Sequence, residues 1–215
     1  MDLRYSKIAV IGDVHGEDVR LEILIKGLRE KQPDAVFCVG DITDGSGSVD
    51  RCCSLLQEYS IETVLGNHDQ WCLNGDNRAL THATMLDQLS TSSLSLLQGL
   101  PLTRQFDTLL GEAMLCHGVG EDAMASVRPS DKVDELYNNL ALWPIYRKQQ
   151  IKIMINGHSH RPGVRHFNHL KVINVGAVCN DDKAQCALID FAAGDVDFFR
   201  VDDHGEMIQT HSESL

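Results

Sequence analysis

The chain has 215 residues, 43% hydrophobic and 23% charged, enough for a sizeable core and not the profile of a disordered or low-complexity chain. Its formal net charge of −12 disfavours an extended nucleic-acid surface or an acidic membrane as a partner. No stretch approaches the roughly 18 uninterrupted apolar residues of a membrane span, and seven cysteines without CxxC spacing predict a reduced, cytoplasmic protein.

The run Lys7–Gly16, KIAVIGDVHG, predicts a strand buried on both faces that stops at Asp13 and His15. At an i, i+2 spacing along extended chain both side chains leave on the same side, which suits two ligands of one metal ion and suits core packing badly. Because the chain enters this strand almost at once, no signal peptide is expected. Glu17–Glu30 carries Val19, Ile23, Leu24 and Leu28 at helical spacing, with Pro33 just beyond. Ala35–Val39 is a second apolar run, ending in Gly40-Asp41. A loop with Asp44 follows, then a helix over Val49–Tyr59. A third run, Ile61–Leu65, ends in a Gly66-Asn67-His68-Asp69 turn. The order β-α-β-α-β predicts parallel strands with right-handed crossovers.

Leu73–Gly99 reads as one or two helices, an insertion over about 73–100 beside the strand ends. Gln105–Leu110 and Ala113–His117 read as antiparallel strands about a turn at Gly111-Glu112, and Asp131–Leu142 as a helix. Ile151–Ile155 leads to Asn156-Gly157-His158-Ser159-His160. Short strands are expected near Val164–Phe167, Leu170–Val175, Gln185–Phe191 and Val196–Val201, with Met207–Leu215 as a frayed tail. The expectation is one domain over 1–215, with a parallel half and an antiparallel half.

Five apolar segments each deliver Asp, Asn or His at the C-terminal end beside a glycine, and five of the ten histidines lie at these ends. Strand ends share an edge of a sheet, and ligands gather in the crevice beyond it. The ligand types are mixed oxygen and nitrogen donors without a thiolate, a set suited to Mn, Fe, Zn, Ni or Co. The remaining histidines (His82, His166, His169, His204 and His211) read as surface residues, Trp71 and Trp143 as packing, Arg161 as solvated and Cys116 as a small buried hydrophobe.

Together Gly12-Asp13-Val14-His15-Gly16, Gly40-Asp41, Gly66-Asn67-His68-Asp69, His117-Gly118 and Gly157-His158-Ser159-His160 resemble the calcineurin-like metallophosphoesterase superfamily, over about Ile8–Val178. The resemblance implies a four-layer α/β/β/α sandwich of two mixed sheets flanked by helices. It implies two divalent transition-metal ions, manganese first among the candidates. Asp13, His15 and His160 would hold one ion, Asn67, His117 and His158 the other, and Asp41 would bridge them. A hydroxide between the ions would attack phosphorus directly, while His68, oriented by Asp44, helps the leaving oxygen depart.

Two departures narrow the reading. Position 45, where the protein-phosphatase pattern GDxxDRG has arginine, is Gly45, and Asp69 replaces the glutamate after Gly-Asn-His. Asn174-Val175-Gly176-Ala177 resembles the NPGS turn of small bacterial phosphoesterases of the superfamily. The resemblance therefore favours a small phosphodiester or nucleotide-like substrate. A serine/threonine-type protein phosphatase or phosphomonoesterase is the alternative, and a non-catalytic scaffold that binds a protein partner is the alternative of another class.

Overall fold

A computed structural model describes residues 4–76, 78–179, 183 and 185–215. The strands form two mixed sheets. The first runs β11-β10-β9-β1-β2-β3, with β1 Lys7–Ile11, β2 Ala35–Cys38, β3 Glu62–Thr63, β9 Cys186–Asp190, β10 Asp195–Val201 and β11 Met207–Ser214. The second runs β4-β5-β6-β8-β7, with β4 Thr103–Thr108, β5 Gly111–Cys116, β6 Ile151–Asn156, β7 Gly163–Phe167 and β8 Leu170–Asn174.

Alternation along β1 explains the layering. Ile8 and Val10 point into a core shared with Leu115, Ile153, Ile155 and Ile173 of the other sheet. Ala9 and Ile11 point the opposite way, onto Leu21, Leu24 and Leu28 of α1 (Asp18–Glu30) and Cys52 and Leu55 of α2 (Val49–Glu58). On the far side, Met114, Cys116 and Met154 meet Leu136 of α5 (Val133–Asn138) and Ile145 of α6 (Trp143–Tyr146). Apolar residues on both faces of each central strand thus require a helix layer outside each sheet. The α/β/β/α order is as expected.

The β1-β2-β3 pairing is parallel, as the β-α-β-α-β order predicts. The division into a parallel and an antiparallel half is wrong. β5, β6 and β8 are parallel neighbours flanked by antiparallel β4 and β7, while β9 and β10 return to extend β1. The expected tail is also a correction. Met207–Ser214 is a strand on the edge of the first sheet, with His211 stacked on Phe198 at 4.5 Å. Its polar composition hides a strand that needs only one buried partner row.

Three local boundaries move as well. The β4–β5 turn falls at Leu109-Leu110, because the Thr108 hydroxyl binds both the Leu110 amide and the Gly111 carbonyl. The helix expected over Asp131–Leu142 breaks at Asn139, whose side-chain oxygen accepts the Ala141 and Leu142 amides. The Asn67-His68-Asp69 turn is the first turn of a helix, α3 (Asn67–Leu73), and the inserted stretch beyond it holds a short 3-10 turn, Leu86–Gln88, and α4 (Thr91–Gly99). Among the described residues no helix is long and apolar enough to cross a membrane.

Candidate metal centre

The ends of β1, β2, β5 and β6 and the start of α3 converge. Asp13 follows β1, Asp41 follows β2, Asn67 opens α3, His117 follows β5, and His158 and His160 follow β6. Several of these positions adopt the left-handed backbone region that non-glycine residues avoid: His15 (φ 46), Asp41 (φ 46), Asp44 (φ 64), His158 (φ 60) and His160 (φ 51). Strain of this kind persists only where surrounding contacts enforce it, and it concentrates at functional sites.

Those contacts are visible. The buried carboxylate of Asp69 accepts the Ile42 and Thr43 amides at 2.8 and 3.0 Å and the Gly66 amide at 3.0 Å, tying the loop after β2 to the start of α3. Asp41 accepts the His68 amide at 2.9 Å, and Asp13 accepts the His158 amide at 2.9 Å. Gly157 is required beside Asp13, since a side-chain carbon there would run into its carboxylate. The side chain of Asn174, paired in register with Asn156, donates to the Gly157 carbonyl and holds the loop that carries His158 and His160.

Tautomers follow from acceptors that cannot donate. His117 Nδ1 lies 2.9 Å from the Val39 carbonyl, so it carries a proton, and Nε2 is the nitrogen turned toward the other site residues. That Nε2 faces Asp41 Oδ2 at 3.2 Å and Asn67 Oδ1 at 2.9 Å. His15 Nδ1 faces the Thr43 carbonyl at 3.2 Å, and its Nε2 faces His160 Nε2 at 3.3 Å, which in turn lies 3.0 Å from Asp13 Oδ2. Imidazole nitrogens, carboxylate oxygens and an amide oxygen thus converge at both ends of the cluster. Such a mixed nitrogen and oxygen donor set fits divalent metal ions.

Three overlapping groups have ligand atoms within 4.8 Å of one another: Asp13, His15 and His160; His15, Asp41 and His68; Asp41, His117 and His158. Asp41 is common to two of them, and His15 and His160 meet Asp13 as expected. His68 differs from the other histidines. Its Nδ1 is 2.7 Å from Asp44 Oδ2, while Asp44 Oδ1 accepts the Thr84 amide at 2.7 Å.

Charge organises the site. Burial opposes a positive His117, but Asp41 and Asp13 outweigh it and push its pKa up to about 10. Burial likewise opposes an ionised Asp41, and His117, His15 and His68 reverse this and hold it well below the usual carboxylate range. For His68 burial works against charge, and the hydrogen bond to Asp44 with the neighbouring carboxylates raises its pKa above the ordinary value.

All nine sequence-predicted site residues meet in this one region. Thr84, which both donates to and accepts from Asp44, was missed. So was the organising role of Asp69. Trp71 packs against His68, with ring centroids 4.6 Å apart, and Arg161 is exposed next to His160. Trp143 lies elsewhere, packed between Tyr137 and Tyr146.

A model of the calcineurin-like phosphoesterase superfamily domain matches residues 7–194. Serine/threonine-protein phosphatase 1 of Salmonella typhimurium is 38% identical over 85 residues, which is 38% of this chain and 37% of that protein. An uncharacterised protein of Methanocaldococcus jannaschii is 29% identical over 72 residues, covering 34% of this chain and 30% of that protein. The match thus spans about a third of each relative's length. In fold, the chain resembles a metallophosphoesterase from Sphaerobacter thermophilus at TM-score 0.65 and 18% identity, covering 97% of this chain and 89% of that one. It resembles a putative diadenosine tetraphosphatase at TM-score 0.61 and 19% identity, covering 98% and 95%. It also resembles zinc-complexed Vps29 from Entamoeba histolytica at TM-score 0.59 and 16% identity, covering 97% and 98%.

Proposed function

The chain belongs to the calcineurin-like phosphoesterase superfamily, and from that membership we propose that it is a dinuclear metal-dependent phosphoesterase acting on phosphodiesters or nucleotide-like compounds. The observation that carries this reading is the convergence of two sets of ligand-type side chains, His15 with His160 and Asp13, and His117 with Asp41 and Asn67. Two bound divalent ions would polarise the phosphoryl oxygens and lower the pKa of a shared water.

The chain's own residues supply the rest. Asp13, His15 and His160 would hold one ion, Asn67, His117 and His158 the other, and Asp41 would be shared. His68 carries a proton toward the leaving oxygen on Nε2, because Asp44 takes the hydrogen bond at Nδ1. Thr84 fixes Asp44 in turn. Replacing His68 with Ala, or Asp41 with Asn, removes nearly all metal-dependent hydrolysis on this reading. Undiminished turnover in both variants rejects it.

Similarity to the Salmonella protein phosphatase raises that activity as a second reading. Position 45 opposes it. A side-chain carbon on Gly45 would run into the His15 carbonyl, so this backbone has no room for the arginine of the GDxxDRG pattern. The scaffold reading, suggested by the fold likeness to Vps29, is opposed by the retained His68–Asp44 pair, which a partner-binding surface does not require.

A further inference from the structure

The segment after α3 turns back over the site. Leu80, Thr81 and His82 line the same opening as His15, His68 and His160, and Thr84 ties the segment to Asp44 through two hydrogen bonds. Just before Leu80 stands Arg78, its guanidinium carbon 4.5 Å from the centroid of the Trp71 ring. That ring lies in turn 4.6 Å from the ring of His68. Trp71 thus contacts both a cation and the histidine of the site.

Arg78 is held by an aromatic face. Among the described residues no carboxylate pairs with it, although the chain has 31 acidic residues against 19 basic ones. Packing on a ring occupies the flat face of a guanidinium and leaves its edge N–H donors free, the fork that grips phosphate oxygens in pairs. The usual place for such an arginine, position 45, is closed by the His15 carbonyl. Arg78, exposed and packed on Trp71, stands beside the ring that contacts His68.

If His68 faces the leaving oxygen, a group bound beyond it belongs to the departing portion of the substrate. Resting on that reading, we propose that Arg78 binds a phosphate in the leaving portion, so that favoured substrates carry at least one further phosphate linked to the one hydrolysed. A guanidinium fork selects this over a neutral leaving group, and a second phosphate is the shortest anionic extension of the reacting one.

Binding can be read without turnover. Trp143→Phe leaves Trp71 as the single tryptophan of the chain, and its emission follows titration of the metal-restored protein with pyrophosphate and with orthophosphate in excess Mn²⁺. The parent should prefer pyrophosphate. Arg78→Ala should reduce that preference by about tenfold to a hundredfold, the scale of a lost charge-assisted pair. Arg78→Lys, which keeps the charge and loses the fork, should recover part of it. Equal preference in the Ala variant and the parent, or no preference in the parent, overturns the proposal. Pyrophosphate preference that depends on Arg78 in a protein that hydrolyses no ester would uphold this subsite and reject the enzyme reading instead.

Discussion

Asp44→Asn isolates proton delivery from metal binding. In the native site one Asp44 oxygen takes the His68 Nδ1 proton at 2.7 Å and the other takes the Thr84 amide at 2.7 Å. Asparagine is the same size but offers a single acceptor. If its oxygen stays on His68, its amide group faces the Thr84 N–H, donor against donor. If it turns round, an N–H meets His68 Nδ1 and the imidazolium loses its counter-charge. Either arrangement forfeits one charge-assisted hydrogen bond, worth about 1.5–3 kcal/mol. The expected loss in kcat is therefore roughly ten- to 150-fold.

The assay compares two diesters, one releasing p-nitrophenol and one releasing an alkyl alcohol. A leaving group that departs easily needs little protonation, so the loss should be small for the first and large for the second. The pH profile adds a sign. Asp44 helps raise the His68 pKa above its usual value, so removing its charge moves the alkaline limb of kcat to lower pH. Equal losses for both esters with an unmoved limb would falsify proton donation by His68.

Three further outcomes follow from the same geometry. Gly45→Arg should not create protein-phosphatase activity; its side chain meets the His15 carbonyl, so the variant should lose about 1–3 kcal/mol in urea unfolding and bind metal less tightly. Gain of phosphopeptide hydrolysis with full stability would refute that steric argument. Asp34→Ala removes a carboxylate oxygen that accepts the Ser6 and Lys7 amides at 2.7 and 2.9 Å, and should cost about 1 kcal/mol at pH 7 after allowing for exposure. The Lys7 and Ser6 hydrogen bonds depress the Asp34 pKa, so this stability is complete above the unfolded carboxylate value, near 3.9, and vanishes as pH falls through the depressed one. A gap between variant and parent that widens on acidification contradicts the assignment. Ending the chain after Glu206 removes β11 and uncovers Phe198, which should lower unfolding stability by on the order of 3 kcal/mol; unchanged denaturation would mean that the segment contributes nothing.

Much of the site was legible because its residues sit in short motifs at strand ends, where chemistry and local conformation coincide. Asp13 and His15, or His158 and His160, announce themselves by spacing alone. Thr84 and Asp69 did not. Thr84 reaches Asp44 across forty positions of chain, a contact made by a segment without periodicity. Asp69 looked like a substitution at a familiar position, while its work is done through three backbone amides that carry no sequence signal. The fold followed the same rule. Continuous apolar runs marked the buried central strands, whereas β11, polar from Gln209 to Ser214 on a sheet edge, read as a tail. Which sheet the late strands joined depended on long-range pairing of β9 with β1, which no local pattern encodes.

The most direct test of the central claim is titration of chelator-stripped protein with Mn²⁺, following bound ions per chain and hydrolysis of matched p-nitrophenyl mono- and diesters together. Two ions should bind, turnover should appear with the second, and the diester should be the better substrate. Two bound ions without hydrolysis of either ester, or full hydrolysis by the metal-free protein, would contradict a dinuclear phosphoesterase.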